Sequence, residues 1–136
     1  MSTEILHLSD PSNGWIEITF AQGADVYTFA ASHTPNDCLA DLAAATALLV
    51  AGSAKERVEF SLEPGFLVGR LVRDGETVRI MLTEPKETMP VFDATFSLHA
   101  FAKELESELL RIRPLYSTRD GWNWPFPERD VANLGW

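Results

Sequence analysis

Two turn dipeptides constrain this chain more than any other feature. Pro64-Gly65 and Asp74-Gly75 punctuate the stretch from Arg57 to Thr83, and each lies between runs rich in β-branched and aromatic residues. Three antiparallel strands follow. Turns centred on those dipeptides set Leu62 against Leu67, Phe60 against Gly69 and Val58 against Leu71. They then set Leu71 against Val78, Gly69 against Ile80 and Leu67 against Leu82. Every one of these residues falls on one apolar face, and a one-residue slip would turn the whole set to water. Gly69 has no side chain and leaves room for Phe60 and Ile80. The other face carries Glu59, Arg70 and Arg79 in a row, which reads as a cross-strand salt-bridge ladder, with an anionic ligand as the alternative.

The rest of the chain supplies elements to pack on this meander. Ile5, Leu6 and Leu8 suit an edge strand. Trp15–Phe20 and Asp25–Ser32 form a hairpin about Gly23-Ala24, pairing Phe20 with Tyr27, Ile18 with Phe29 and Ile16 with Ala31. Thr34-Pro35-Asn36-Asp37 opens a helix carrying Leu39, Leu42, Ala43, Thr46 and Leu49 at helical spacing, and Ala51-Gly52-Ser53 ends it. Val91–Phe96 suits a further short strand. Ser97 is a candidate cap for a second helix that turns Leu98, Phe101, Leu105, Leu109 and Ile112 inward. Lys103, Glu104, Glu106, Glu108, Arg111 and Arg113 lie on its solvated side, and Pro114 is the expected stop. The predicted fold is one α+β domain over residues 1–136. Its antiparallel sheet combines the hairpin, the three-stranded meander and one or two further strands, with two helices packed on one face. The aromatic tail, with three of the four tryptophans, is expected to wrap back over the body through Trp124 and Phe126.

Charge narrows the function classes. The chain has 20 acidic and 11 basic residues, a formal net charge of -9, and every basic residue lies from Lys55 onward. Glu4, Asp10, Glu17, Asp25, Asp37 and Asp41 therefore leave residues 1–54 at -6. Phosphate contacts need clustered Lys and Arg, so direct nucleic-acid binding is not expected; an acidic field favours a basic partner. A single cysteine, Cys38, excludes an internal disulfide and a cysteine-rich zinc site. His7, His33 and His99 have no close metal-binding spacing, though His33 lies near Asp37 and Cys38. The N-terminus has no secretory leader pattern, and no apolar run reaches membrane-spanning length, so the expected setting is cytoplasmic.

The chain resembles a group of uncharacterised small bacterial proteins. The likeness rests on Ala31-Ser32 at the end of the hairpin, Leu39-Ala40-Asp41-Leu42 at the helix start, the turn Glu63-Pro64-Gly65, and Trp124-Pro125-Phe126-Pro127 in a tail similar to W-x-P-F-P. That resemblance implies a shared fold and brings no catalytic residues with it. Small acidic α+β proteins of this style also resemble immunity proteins of bacterial toxin systems. The expectation is thus a non-enzymatic module, without metal or cofactor, that binds a basic protein such as a toxin. Glu17, Asp37, Asp41, Glu59, Arg70, Arg79, Trp122 and Trp124 are its candidate contact residues. The competing expectation is a small-molecule-binding or enzymatic domain with a pocket between the aromatic tail and the sheet.

Overall fold

Gly23 turns the first hairpin with φ +61°, and the pairing around it follows the predicted register. Phe20 lies opposite Tyr27, Ile18 opposite Phe29 and Ile16 opposite Ala31. These pairs belong to β2 (Trp15–Gln22) and β3 (Asp25–Ser32), with β1 (Leu6–Leu8) added at the edge beside β2. The computed structural model describes residues 5–135; the first residues of the expected N-terminal arm, Glu4 among them, and Trp136 lie outside that range. Next come α1 (Cys38–Val50), β4 (Lys55–Ser61), β5 (Phe66–Asp74), β6 (Thr77–Thr83), β7 (Phe92–Ser97), α2 (Leu98–Tyr116) and α3 (Glu128–Ala132). The protein is α+β, with helices packed on antiparallel strands. No helix among the described residues is long and apolar enough to cross a membrane.

The meander keeps its predicted faces and changes its pairing. Val58 faces Gly69 and Phe60 faces Leu67; Gly69 faces Leu82 and Leu71 faces Ile80. The first turn centres on Glu63-Pro64, across a cis peptide bond, and the second on Gly75-Glu76. Moving a turn's centre by one residue moves the pairing by two, so each side chain keeps its face. Val58, Phe60, Leu67, Leu71, Val78, Ile80 and Leu82 are accordingly all buried. Phe60 still overhangs Gly69: a Cβ there would lie 2.9 Å from its ring. The same shift breaks the expected row of Glu59, Arg70 and Arg79. Arg57 instead stands opposite Arg70, Glu59 opposite Val68, and Arg79 opposite Val72.

The strands divide into two hydrogen-bonded sheets, β1-β2-β3 and β4-β5-β6-β7, and not into the single expected sheet combining hairpin and meander. Side chains join them. Phe29 meets Phe60 edge-on at 5.3 Å, and Phe20 lies 5.9 Å from Phe92 and 6.4 Å from Phe101. Ring pairs of this kind contribute about 0.5–1.5 kcal/mol each beyond the area they bury. Polar contacts add to these, among them a bond from Gln22 Nε2 to the Thr95 carbonyl.

Helix ends follow their local chemistry. Ser97 accepts from the Ala100 amide at 3.1 Å and caps α2 as predicted. At the end of α1, Ser53 N bonds the Leu48 carbonyl and Gly52 N the Leu49 carbonyl, a Schellman arrangement with Gly52 at φ +121°. Pro114 does not stop α2, which runs on to Tyr116. Proline removes one helical N–H, but burial of Ile112 and Tyr116 holds the final turn in place. Trp122 N and Trp124 N then bond the carbonyls of Leu115 and Tyr116.

The outward edge of β1 is closed by α2. Leu8 N donates to Glu108 Oε1 at 2.8 Å, and Arg111 Nη2 donates to the Leu8 carbonyl. Arg111 also reaches Asp10 at 3.0 Å, and His7 lies 3.2 Å from Glu108. Glu108 was expected in solvent; burial raises its pKa, but Arg111 and the Leu8 amide together hold it below its ordinary value.

Two stability measurements check this arrangement. Phe60→Ala should cost about 3–5 kcal/mol in urea titrations, the usual cost of truncating a buried aromatic ring; an unchanged midpoint would refute the packing between the sheets. Truncation after Tyr116 removes Trp122, Val131 and Leu134, all buried. The shortened chain should bind a hydrophobic dye and aggregate.

Candidate partner-binding groove

Asp37 is the N-cap of α1 and accepts from the Ala40 amide at 3.0 Å. Its carboxylate has further work. Tyr116 Oη lies 2.8 Å from both of its oxygens, and Trp122 Nε1 donates to Oδ1 at 2.8 Å. All three partners donate, which suits an ionised carboxylate acting purely as acceptor. Burial pushes the Asp37 pKa up by more than the donors from Trp122, Ala40 and Tyr116 pull it down. Burial and the neighbouring Asp37 charge likewise drive Tyr116 far up, so its hydroxyl stays a donor. Cys38, next in sequence, is fully buried and its thiol is pushed well up by desolvation, which makes it inert.

His33 sits beside this knot. Its ring packs over the backbone of Gly14, where φ is +78° and no side chain would fit. It also meets Trp122 edge-on at 6.3 Å, and its carbonyl accepts from Trp124 Nε1 at 2.6 Å. Across the sheet junction, Ser32 and Thr34 both donate to Glu63. Those hydrogen bonds lower the Glu63 pKa. Among the described residues no group of three His, Cys, Asp or Glu side chains is placed to hold a metal ion.

The surface between α1 and β4 has a different character. A groove of about 540 Å³ runs along it, floored by Ala44, Ala45, Leu48 and Val58 and bordered by Pro35 and Asn36. Asp41 stands on its helix side; Glu56, Arg57 and Glu59 stand on its strand side. Arg57 and Glu59 form an ion pair, which leaves Asp41 and Glu56 as the groove's acids without an ion-pair partner among the described residues. Glu56 accepts from Ser53 Oγ at 2.6 Å, and Asp41 from Asn36 Nδ2 at 2.9 Å, so both carboxylates are held in place. Leu48 is 51% exposed at the lip of the groove. The helix face is shallow because α1 is built from alanines, and this leaves the groove open.

The structure brings some of the predicted contact residues together and separates others. Asp41 and Glu59 share the groove. Glu17 is exposed on the other sheet, opposite Ala30. Arg70 lies on the outer face of the four-stranded sheet, in a shallow concavity lined also by Lys55, Glu56, Arg57 and Val72. Arg79 binds Asp93 through two hydrogen bonds, 2.9 and 2.6 Å, and this pairing lowers the Asp93 pKa. Trp122 is wholly buried and Asp37 is bonded to it, so both belong to the interior rather than to a contact surface. Trp124 and Phe126 are only partly buried, and Trp122 is the anchor of the tail. Sequence reasoning missed Glu56 and Leu48. Glu56 sits among alternating charges, and Leu48 falls outside the apolar helix stripe, which was the available signal. The tail packs through α3 on α1. Its adjoining cavity of about 460 Å³ is lined by residues of α1 with Asp130 and Asn133, not by the sheet.

No protein-family model, no curated protein and no solved structure matches the chain.

Replacing Asp37 tests the knot. Asp37→Ala removes a helix cap worth about 0.5–2 kcal/mol. It also leaves two buried donors unsatisfied, at about 1–3 kcal/mol each. The expected loss is about 3 kcal/mol or more by chemical denaturation. A loss below about 1 kcal/mol would mean that the carboxylate is only a surface cap.

Proposed function

We propose that this chain is a non-enzymatic, acidic protein-binding module that receives a basic partner in the groove between α1 and β4. The specific form of the reading is a cytoplasmic immunity protein that neutralises a basic bacterial toxin. The observation that carries it is the pairing of an apolar floor, with Leu48 exposed, and two oriented carboxylates, Asp41 and Glu56, without an ion-pair partner among the described residues. A docked cation would meet fixed charges rather than mobile ones. The net charge of -9 adds a long-range field that speeds encounter with a basic protein.

The test is kinetic. A basic protein captured from the native host is measured against wild type and against Asp41→Asn/Glu56→Gln/Glu59→Gln at two ionic strengths. The variant should associate about tenfold more slowly at low salt, with a flattened salt dependence and an unchanged melting temperature, because steering scales with charge. Recovery of no basic protein, or association at the wild-type rate, would overturn the reading.

A further inference from the structure

Backbone parity along β4 gives the same groove a second property. Arg73 N donates to the Ala54 carbonyl at 2.8 Å, so the even-numbered residues of this stretch turn their amides toward β5. The odd-numbered residues Lys55, Arg57 and Glu59 therefore turn N–H and C=O outward, along the edge of the sheet. Side chains occupy that edge at both ends. Asn36 Nδ2 donates to the Glu59 carbonyl at 3.0 Å, and Ser53 Oγ, whose one proton goes to Glu56, lies 3.2 Å from the Lys55 carbonyl. Arg57 lies between them, and neither its outward amide nor its carbonyl has a partner among the described residues.

Side chains cap individual outward groups on two other strand edges as well. On β1, Glu108 and Arg111 take both outward groups of Leu8. On β7, Gln22 takes the Thr95 carbonyl. An uncovered strand edge facing a groove is the geometry in which an extended peptide adds to a sheet.

We propose that the segment entering the groove is an extended basic stretch of the partner, which pairs with β4 as a further strand centred on Arg57. This inference rests on the docking reading above and specifies its mode. Charge selects the occupant. Alternate side chains of an added strand would point beneath α1, toward Ala45 and Leu48 and between Asp41 and Glu56. A lysine fits there, with its stem on the apolar floor and its ammonium at the carboxylates. A second copy of the chain does not fit: antiparallel self-pairing centred on Arg57 would set that arginine against its own copy, and like charges directly opposite are destabilising.

The probe is a capped eight-residue peptide alternating lysine with valine, titrated into the isotope-labelled full chain. Exchange of the Arg57 amide should slow at least tenfold at saturation. Arg57→Ala, which keeps the amide, should bind within about threefold of wild type. Arg57→Pro should bind at least tenfold more weakly with an unchanged melting temperature, since proline is tolerated where an edge N–H faces away from the ladder. Failure of wild type to bind, an unprotected Arg57 amide at saturation, or equal binding by the proline and alanine variants would overturn strand addition. Should the proline variant not fold, the exchange measurement on wild type decides alone. Loss of binding in Asp41→Asn/Glu56→Gln, with full binding in Arg57→Pro, would leave charged docking standing and remove strand addition. A protected Arg57 amide with no effect of those charge variants would support strand addition and remove the electrostatic reading.

Discussion

The carboxylate of Asp37 is the point on which the two ends of this chain depend. It starts α1 by capping the Ala40 amide and receives Tyr116 from the last turn of α2 and Trp122 from the tail. These partners lie 79 and 85 positions away in sequence. Tyr116 and Trp122 bring large apolar bodies whose polar tips need an acceptor once buried. One anion at a helix N-terminus, where the dipole favours negative charge, satisfies both. The desolvation visible in the raised pKa of Asp37 is offset by three donors and by the apolar area that the two rings bury. The same contact explains why α2 continues past Pro114, since ending it there would withdraw Tyr116 from Asp37.

With the tail fastened in this way, the two sheets and α1 are held in fixed relation, and the groove is a consequence of that geometry. Alanines on α1 bring the helix close to β4 without filling the space beside it. Asn36 links the two walls by donating to Asp41 and to the Glu59 carbonyl. The first-helix acids thus split into two roles. Asp37 is consumed by the interior, and Asp41, about one turn on, remains available at the rim.

Ion pairs on the outer face of the four-stranded sheet mark a further division of charge. Arg57 is offset by Glu59, and Arg79 is offset by Asp93 across the next pair of strands. Exposed pairs of this kind add little to stability, on the order of 0–1 kcal/mol each. Their effect here is to decide which surface stays negative. Arg57 and Arg79 are neutralised on that outer face, whereas among the described residues Asp41 and Glu56 in the groove have no ion-pair partner.

Alternation of side chains along β2 to β6 was legible because it is set by covalent geometry and needs no knowledge of partners. For that reason the inner faces, the first hairpin's register, the Ser97 cap and the α+β class could all be read from residue order. The meander's pairing could not be read to the same precision. Pro64-Gly65 and Asp74-Gly75 each allow two turn centres that keep the same residues facing inward, so residue order does not select between them. Long-range partners were invisible altogether. Nothing local to Asp37 announces Tyr116 or Trp122, and nothing local to Leu8 announces Glu108 and Arg111. The sequence by itself determined which residues face inward and where charge accumulates. Only the tertiary structure decided which carboxylates are consumed inside and which groups along the β4 edge are left uncovered, because both depend on contacts between segments that sequence order keeps far apart.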